Sequence, residues 1–319
     1  MAQLARLLVG DIGGTHARFA LLDENGNVIH RQQVLICNFP TFDAALTAYL
    51  ETIDHSPENA CFAVAGPVKA DGVKFTNAPW SIQIAKVAEA FSFSSLKLIN
   101  DFEAISRFSM IAKEDDLYLI KKGVRDPTAP VLTLGPGTGL GQGMAIPRQG
   151  APFIIAAQGG HVTLPIYTPK EHNLFQDLTV MLGRPPAAED VLSGRGLVNL
   201  SKAMAKLEGD PTKFHTPEDV TTAALEGDKT ARQIIDQFCT YLGNIAGNAA
   251  LITGTRGGVF LSGGILPRFP QLLKESPFED AFTTRFDQMN EYLENIPVHL
   301  VLNQDAGVIG AGLCFTDRN

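Results

Sequence analysis

The pattern of apolar and polar positions predicts alternating strands and helices along most of the chain. Apolar runs bounded by turn residues favour strands, whereas apolar residues that recur every three or four positions favour helices. The strands predicted for the first half are 4–9, 18–22, 28–35, 61–65 and 96–99. The helices predicted there run from Thr41, as N-cap, to Ile53 and from Ser81, as N-cap, to about Phe91.

The second half of the chain repeats this arrangement. An apolar strand at 131–134 leads into a glycine-rich turn and a further strand at 144–146. The pattern then predicts a long helix, a short strand that ends in a third glycine turn, and a final helix, at 230–252, 259–261 and 307–314. Because strand-turn-strand units occur in both halves and alternate with helices, the sequence predicts duplicated α/β halves around a cleft.

A glycine-rich turn follows the first strand of each half. The two turns read Gly10-Asp11-Ile12-Gly13-Gly14-Thr15 and Gly135-Pro136-Gly137-Thr138-Gly139-Leu140-Gly141. Glycine lets backbone N–H groups approach a phosphate without a Cβ in the way. Neither turn fits the P-loop or the dinucleotide-binding pattern, and a single Gly-Gly-Thr is usually only a tight hairpin. The occurrence of two such turns after equivalent strands favours a phosphotransferase or ATPase.

Carboxylates end two of the predicted strands. Asp11 can hold Mg²⁺ through water beside its glycine turn, or it can simply cap that turn. Asn100 and Asp101 follow the strand at 96–99, at the edge where open α/β sheets place their ligands. Asp101 can orient a hydroxyl and accept its proton, and its ordinary pKa near 4 makes it a weak base that phosphoryl transfer tolerates. The alternative is an Asx cap for a helix that starts at Phe102.

A third pair of glycines lies between side chains that can bond sugar hydroxyls. The segment reads Gln158-Gly159-Gly160-His161, and Glu189 stands near the start of a short predicted helix. Taken singly, His161 is more simply a loop residue that packs on its neighbours, and Glu189 an acid that complements a helix dipole. These residues therefore become candidates only in combination with the glycine turns.

Composition restricts the classes of function. The chain has 319 residues and a net charge of −8, which disfavours a nucleic-acid-binding surface. Its four cysteines lack a C-x-x-C spacing, so buried thiols in a reducing cytoplasm are expected rather than a zinc site or a redox dithiol; they are Cys37, Cys61, Cys239 and Cys314. Short apolar runs predict neither a signal peptide nor a membrane span, so a cytoplasmic location is expected.

Longer segments resemble a known superfamily in chain order. Residues 11–18, 134–141 and 261–269 resemble the first phosphate, second phosphate and adenosine motifs of the sugar-kinase, actin and heat-shock ATPase superfamily. More narrowly, the segments 76–80, 98–102, 159–161 and 191–197 resemble those of bacterial ATP-dependent glucokinases. The absence of any cysteine between Cys61 and Cys239 favours this branch over the related zinc-containing ROK kinases.

This resemblance implies an architecture and an activity. The expected fold is α/β, with two duplicated actin-like (ribonuclease H-like) domains that flank an interdomain cleft. The small domain comprises 1–111 plus 303–319, and the large domain comprises 112–302. The implied reaction is transfer of phosphate from ATP, with Mg²⁺, to the 6-hydroxyl of glucose by a cytoplasmic homodimer.

The resemblance also implies a role for each candidate residue. Asp101 matches the catalytic base, and Asp11 is expected to hold Mg²⁺ through water. The residues matched to sugar binding are Asn77, Asn100, Gln158, His161 and Glu189. Those matched to nucleotide binding are Gly10, Asp11, Ile12, Gly13, Gly14, Thr15, Gly137, Thr138, Gly139, Gly263 and Gly264.

Two positions depart from the resembled pattern. Gln158 stands where the family usually has Glu, and Thr163 stands where it usually has Asp. Gln can accept a hydroxyl hydrogen bond, but it lacks the charge that makes such a bond about twice as strong. Weaker glucose binding or another sugar preference is therefore an open alternative: a kinase for a different hexose or aminosugar, or a sensor that binds sugar without turnover.

Overall fold

The fold comes from a computed structural model that describes residues 7–54, 56–75, 78–286 and 288–316. These residues form two compact units. Unit 1 contains the described residues up to Ala112, the segment Arg148–Ala156 and the described residues from Asn303 onward. Unit 2 contains Lys113–Pro147 and Ala157–Leu302. The sequence-based boundaries include residues 148–156 in the large domain, 112–302, whereas the structure groups them with unit 1.

Strands and helices alternate along the chain. The strands are β1 (Leu7–Ile12), β2 (His16–Leu22), β3 (Val28–Leu35), β4 (Asn59–Val64), β5 (Gly72–Lys74), β6 (Ser81–Gln83), β7 (Ser95–Asn100), β8 (Leu117–Lys121), β9 (Val131–Pro136), β10 (Leu140–Ile146), β11 (Phe153–Ala157), β12 (Val259–Leu261) and β13 (Val298–Val301). The helices are α1 (Phe42–Leu50), α2 (Ile84–Ala90), α3 (Asp101–Ile111), α4 (Pro169–Leu182), α5 (Gly194–Glu208), α6 (Pro217–Leu225), α7 (Lys229–Thr253), α8 (Pro270–Glu275), α9 (Phe278–Thr283), α10 (Gln288–Glu294) and α11 (Ala306–Thr316).

The main sheet of unit 1 has the strand order β3-β2-β1-β4-β7. Strand β1 pairs antiparallel with β2 and parallel with β4, which in turn pairs parallel with β7. Alternate side chains of β1 enter two different apolar clusters: Leu8 packs with the α1 side and Val9 with the α11 side. Because β1 is buried on both faces, its carboxyl end is held rigidly.

Unit 2 repeats this topology. Its strands follow the order β10-β9-β12-β13-β8, with β9 antiparallel to β10 and parallel to β12. Strand β12 also pairs parallel with β13, so β9, β10, β12 and β13 match β1, β2, β4 and β7. The 25-residue helix α7 supplies much of the apolar core beside this sheet. The predicted duplication of α/β halves is confirmed at the level of strand order and direction.

Two local expectations, for Ser81 and Cys37, are wrong, and the strand β8 was not predicted. Ser81 does not cap a helix. It is the first residue of β6, which pairs antiparallel with β5 and buries only its central residue, Ile82. The sequence pattern also missed β8, whose last residue, Lys121, is a buried lysine that donates to the carbonyls of Lys122, Glu294 and Ile296. Cys37 is exposed, whereas the other three cysteines are buried.

No helix among the described residues is both long and apolar enough to cross a bilayer.

Candidate active site

The first glycine turn joins β1 to β2 in unit 1. The N–H of Gly13 donates to the carbonyl of His16 at 2.9 Å and closes the turn. Within the described residues the N–H groups of Gly14 and Thr15 have no hydrogen-bond partner, and Thr15 is exposed. Gly10 and Ile12, by contrast, are buried within β1. The two N–H groups at the tip of the turn are therefore the ones that a phosphate can reach.

Gly10 serves packing rather than ligand access. A Cβ at this position would lie 2.7 Å from the ring of Phe62 and 3.1 Å from the carbonyl oxygen of Arg18. The position therefore requires a residue without a side chain so that β1 can approach its neighbours.

Asp11 is fixed by groups on both sides. Arg18 donates from its Nη1 to Oδ2 of Asp11 at 2.8 Å, and the two residues face each other across the β1–β2 hairpin. A Cβ on Gly307 of α11 would lie 2.8 Å from Cγ of Asp11, so that helix packs directly on the carboxyl group. Burial raises the pKa of Asp11, and the Arg18 guanidinium opposes this rise.

Asn100 ends β7 at the same edge of the sheet as Asp11. The parallel register aligns Ile12 of β1 with Val64 of β4, and Val64 with Asn100. Asn100 is also the N-cap of α3, because its Oδ1 accepts from the N–H of Phe102 at 3.0 Å, and its Nδ2 donates to the carbonyl of Gly66 at 3.1 Å. The capping role considered for Asp101 thus belongs chiefly to Asn100.

Asp101 is the first residue of α3 and is partly exposed. Its Oδ1 accepts from the N–H of Phe102 at 3.0 Å. Burial raises the pKa of Asp101 to about 7, and the negative charge of Asp11 adds to the rise. A carboxyl group with a pKa near the working pH is a much better proton acceptor than one with the ordinary value expected from the sequence. Burial, the larger cause of this rise, had no signal in the sequence, whereas the smaller cause could have been indicated by the carboxylate of Asp11 on β1, which β4 separates from β7.

The second glycine turn, in unit 2, follows the same plan as the first. The N–H of Gly137 donates to the carbonyl of Gly139 at 2.8 Å, and the carbonyl of Gly137 accepts from the N–H of Gly194 at 2.9 Å. In this part of the described chain the N–H groups of Thr138 and Gly139 lack a hydrogen-bond partner, and Thr138 is exposed. In each turn, therefore, one N–H group closes the turn and the next two N–H groups are available to a ligand.

The segment at 158–161 packs on the strand that follows this second turn. Gly159 and Gly160 lie so close to β10 that a Cβ would overlap the side-chain amide of Gln142 and the carbonyl oxygen of Leu140, respectively. The carbonyl of Gln158 accepts from the N–H of His161 at 3.1 Å, which shapes the 3-10 turn Gly159–His161. The side chains of Gln158, His161 and Thr163 remain exposed.

Glu189 lies between the two loops of unit 2. Its Oε1 is 3.7 Å from Nδ1 of His161 and 3.6 Å from a guanidinium nitrogen of Arg195. Its Oε2 is 2.8 Å from the position that a Cβ on Gly139 would take. The structure thus brings together Gly139, His161 and Glu189, which lie up to 50 positions apart in the sequence.

The third glycine turn closes on the end of β9. Gly263 has φ +91°, in the left-handed region that favours glycine, and a Cβ there would overlap the carbonyl oxygen of Pro136. The N–H of Ser262 donates to the carbonyl of Leu134 at 2.9 Å, whereas Gly264 is exposed. The third glycine turn is therefore adjacent to the second glycine turn.

One residue expected in the site is not among those described, and two arginines near the site were not expected. Asn77, expected to bind sugar, lies outside the described residues, as does Thr76 of the same segment. Sequence reasoning missed Arg18 and Arg195. The register of the first hairpin could have indicated Arg18, because it places that residue directly opposite Asp11. No comparable signal exists for Arg195, whose approach to Glu189 depends on the path of the chain between them.

Comparisons with known proteins place the chain among sugar kinases. A family model described as Glucokinase matches residues 8–318. The glucokinase of Saccharophagus degradans is 37% identical over 95% of this chain and 96% of that protein. A solved glucokinase from an Antarctic psychrotroph superimposes with a TM-score of 0.86 at 34% identity, covering 98% of this chain and 99% of its own. A ROK-family glucokinase from Streptomyces griseus, solved with glucose and AMPPNP, has a TM-score of 0.65 at 20% identity and covers 96% of this chain and 97% of its own. The expected actin-like fold class is confirmed.

Proposed function

This chain belongs to the glucokinase family and phosphorylates glucose with ATP, and we propose that Asp101 is the base that receives the proton of the 6-hydroxyl. The observation that carries this proposal is the position and pKa of its carboxyl group. Asp101 lies at the carboxyl edge of the unit 1 sheet, and burial raises its pKa to about 7. At neutral pH a large fraction of the molecules therefore holds this carboxylate ready to accept a proton.

The reaction needs positioning more than covalent chemistry. In a loose phosphoryl-transfer transition state the attacking hydroxyl keeps its proton until late, so the base first orients the oxygen and then accepts the proton late in the step. The N–H of Phe102 fixes Oδ1 of Asp101, and this leaves Oδ2 for the substrate hydroxyl. The proton moves from the 6-hydroxyl to this carboxylate as the bond between the 6-oxygen and the γ-phosphorus forms, while the bond from that phosphorus to the bridging oxygen breaks and ADP leaves.

The two glycine turns are proposed to bind phosphate oxygens of ATP. Support comes from the paired N–H groups at each tip, Gly14 with Thr15 and Thr138 with Gly139. Preorganised N–H donors stabilise the negative charge of phosphate oxygens without reorganisation during the reaction. Gly263 and Gly264 are proposed to border the nucleoside end, since their turn adjoins the second phosphate turn.

Mg²⁺ is proposed to enter with ATP rather than to reside in the protein. The described residues contain no cluster of three or more His, Cys, Asp or Glu side chains that could hold a metal. Asp11 offers Oδ1, while Arg18 occupies Oδ2, which fits a hydrated Mg²⁺ held by one carboxylate and substrate phosphates. Such an ion neutralises charge on the phosphates.

The pH dependence of turnover tests the role of Asp101. Because only the deprotonated carboxylate accepts a proton, kcat/KM for glucose is expected to fall about tenfold per pH unit below about pH 7. The measurement is a pH-rate profile with saturating Mg-ATP and limiting glucose. An acidic limb with an apparent pKa near 4 would contradict the raised pKa and return Asp101 to an ordinary carboxylate.

Gln158, His161 and Glu189 are proposed to contact sugar hydroxyls. The exchange Gln158→Glu is expected to lower KM for glucose about threefold to tenfold, because a carboxylate accepts a hydroxyl hydrogen bond more strongly than an amide does. Thr163 is the other position that departs from the family pattern, and KM for glucose of the Thr163→Asp variant is measured beside that of Gln158→Glu for comparison. A higher KM for glucose in Gln158→Glu would indicate a sugar that uses the amide N–H groups of Gln158, such as an aminosugar derivative.

A substrate panel measures how strictly the protein selects glucose over other sugars. The measurement is ADP release from Mg-ATP with hexoses and N-acyl aminosugars. Turnover confined to glucose would make Gln158 a tolerated variation. Turnover of further sugars beside glucose would indicate that Gln158 and Thr163 broaden the specificity. We also propose that the protein is a homodimer in the cytoplasm, as the family resemblance implies. Light scattering, which gives the molar mass in solution, tests the dimer.

A further inference from the structure

Arg195 stands beside two carboxylates of very different surroundings. It is the second residue of α5, at the position that the resembled segment 191–197 leaves open, and its side chain is 63% exposed. One guanidinium nitrogen lies 3.6 Å from Oε1 of Glu189 and 3.8 Å from Oδ1 of Asp190. The other partners of each carboxylate show which of the two depends more on Arg195.

Asp190 is fully partnered without Arg195. Its side chain is only 2% exposed, and Arg184 donates to both of its oxygens, at 2.6 and 3.0 Å. The N–H of Ala187 donates to the same carboxylate at 2.8 Å. A third, longer contact at 3.8 Å adds little to a group that already accepts three short hydrogen bonds.

The carboxylate of Glu189 is held much more loosely. Its backbone is fixed, because Ser193 donates to its carbonyl at 2.7 Å. Its carboxylate has the exposed ring of His161 at 3.7 Å and Arg195 at 3.6 Å, and it abuts Gly139 on the other side. Removal of Arg195 would therefore take away one of the two side chains that face the carboxylate of Glu189, whose own side chain is 21% exposed.

We propose that Arg195 is a positioning residue that holds the carboxylate of Glu189 in the orientation that accepts a sugar hydroxyl. This inference rests on the proposed role of Glu189 in sugar binding. The guanidinium lies 3.6 Å from Oε1 of Glu189 and restricts the rotamers of that side chain, so that its carboxylate faces one direction. Arg195 acts through Glu189 and not through the nucleotide, so its removal affects one substrate only.

Steady-state kinetics of Arg195→Ala test this role. KM for glucose is expected to rise about threefold to fivefold, the size of effect that exposed ion pairs produce, while KM for ATP and the melting temperature stay unchanged. Arg195→Lys is expected to recover about half of the loss, because it keeps the positive charge but not the planar guanidinium that faces Glu189. Arg256→Ala, which breaks an exposed ion pair with Asp126 at 3.0 Å elsewhere in unit 2, is the matched control and should leave both KM values unchanged.

A double-mutant cycle separates this inference from the proposed function. If Arg195 acts through Glu189, adding Arg195→Ala to Glu189→Ala should raise KM for glucose no further. Additive effects of the two changes would overturn the inference, since Arg195 would then act independently of Glu189. A normal KM in Arg195→Ala beside a raised KM in Glu189→Ala would also overturn it, while the sugar role of Glu189 would stand. A normal KM in Glu189→Ala would reject both.

Discussion

Asparagine in place of Asp101 is expected to lower kcat for glucose phosphorylation by about a hundredfold to ten-thousandfold, the usual contribution of a positioned general base. The amide has nearly the shape of the carboxyl group but cannot accept the proton of the 6-hydroxyl. Its oxygen can still accept from the N–H of Phe102, so the start of α3 is preserved. Binding of ATP, measured by calorimetry with a non-hydrolysable analogue, should remain within about twofold of wild type.

Glu103→Gln is the matched control for this variant. Glu103 lies two residues further along α3 and pairs with Arg107 at 3.1 Å, so the same acid-to-amide change occurs in the same helix. Its kcat is expected to stay near the wild-type value. Turnover of Asp101→Asn at a comparable level would remove Asp101 from the role of base.

The same variant is expected to be more stable than wild type at alkaline pH. Burial raises the pKa of Asp101 in the folded protein to about 7, above the value of about 3.9 for an unfolded aspartate. Between these two values the unfolded chain releases the proton more readily, so the stability of wild type falls as the pH rises through this window. Asp101→Asn carries no such cost and should melt about 2 °C or more above wild type at pH 8, with a smaller difference at pH 5. An equal or lower melting temperature at pH 8 would contradict a raised pKa.

Much of the fold was predictable because its signals are local. Thr41 does cap α1, since its side chain accepts from the N–H of Ala44, as the Thr followed by an amphipathic segment predicted. The strands Val28–Leu35 and Val259–Leu261 have the predicted limits, because turn residues precede the first and glycines lie on both sides of the second. The repeated strand-glycine-strand segments likewise predicted the two hairpins, since close turns depend on a few adjacent residues.

The parts of the site that could not be predicted depend on contacts between distant segments. The raised pKa of Asp101 requires burial and the charge of Asp11, which lies 90 positions earlier. The proximity of Glu189 to Gly139 likewise depends on how the 3-10 turn Ala188–Asp190 returns to the second glycine turn. Ser81 shows the same limit for secondary structure, because its pairing in β6 overrode a local preference for a helix cap.

Valine in place of Gly13 is expected to weaken ATP binding by about tenfold to a hundredfold while the protein stays folded. Gly13 lies outside the left-handed region of φ, and the nearest atom to an added Cβ is the carbonyl oxygen of His16 at 3.4 Å. The turn therefore has room for a side chain. A branched side chain would nevertheless cover the N–H groups of Gly14 and Thr15, and loss of one hydrogen bond to a charged phosphate accounts for an effect of this size.

Gly10→Ala provides the opposite outcome and hence the control. Its Cβ would lie 2.7 Å from the ring of Phe62, so we expect a lower melting temperature for this variant with little change in the affinity of the folded fraction for ATP. Calorimetric titration with a non-hydrolysable ATP analogue and a thermal melt of each variant distinguish the two effects. If Gly13→Val binds the analogue as wild type does, the turn is only a hairpin and the phosphates bind elsewhere. If both variants lose affinity in proportion to their stability, packing rather than phosphate access explains why glycine occupies position 13.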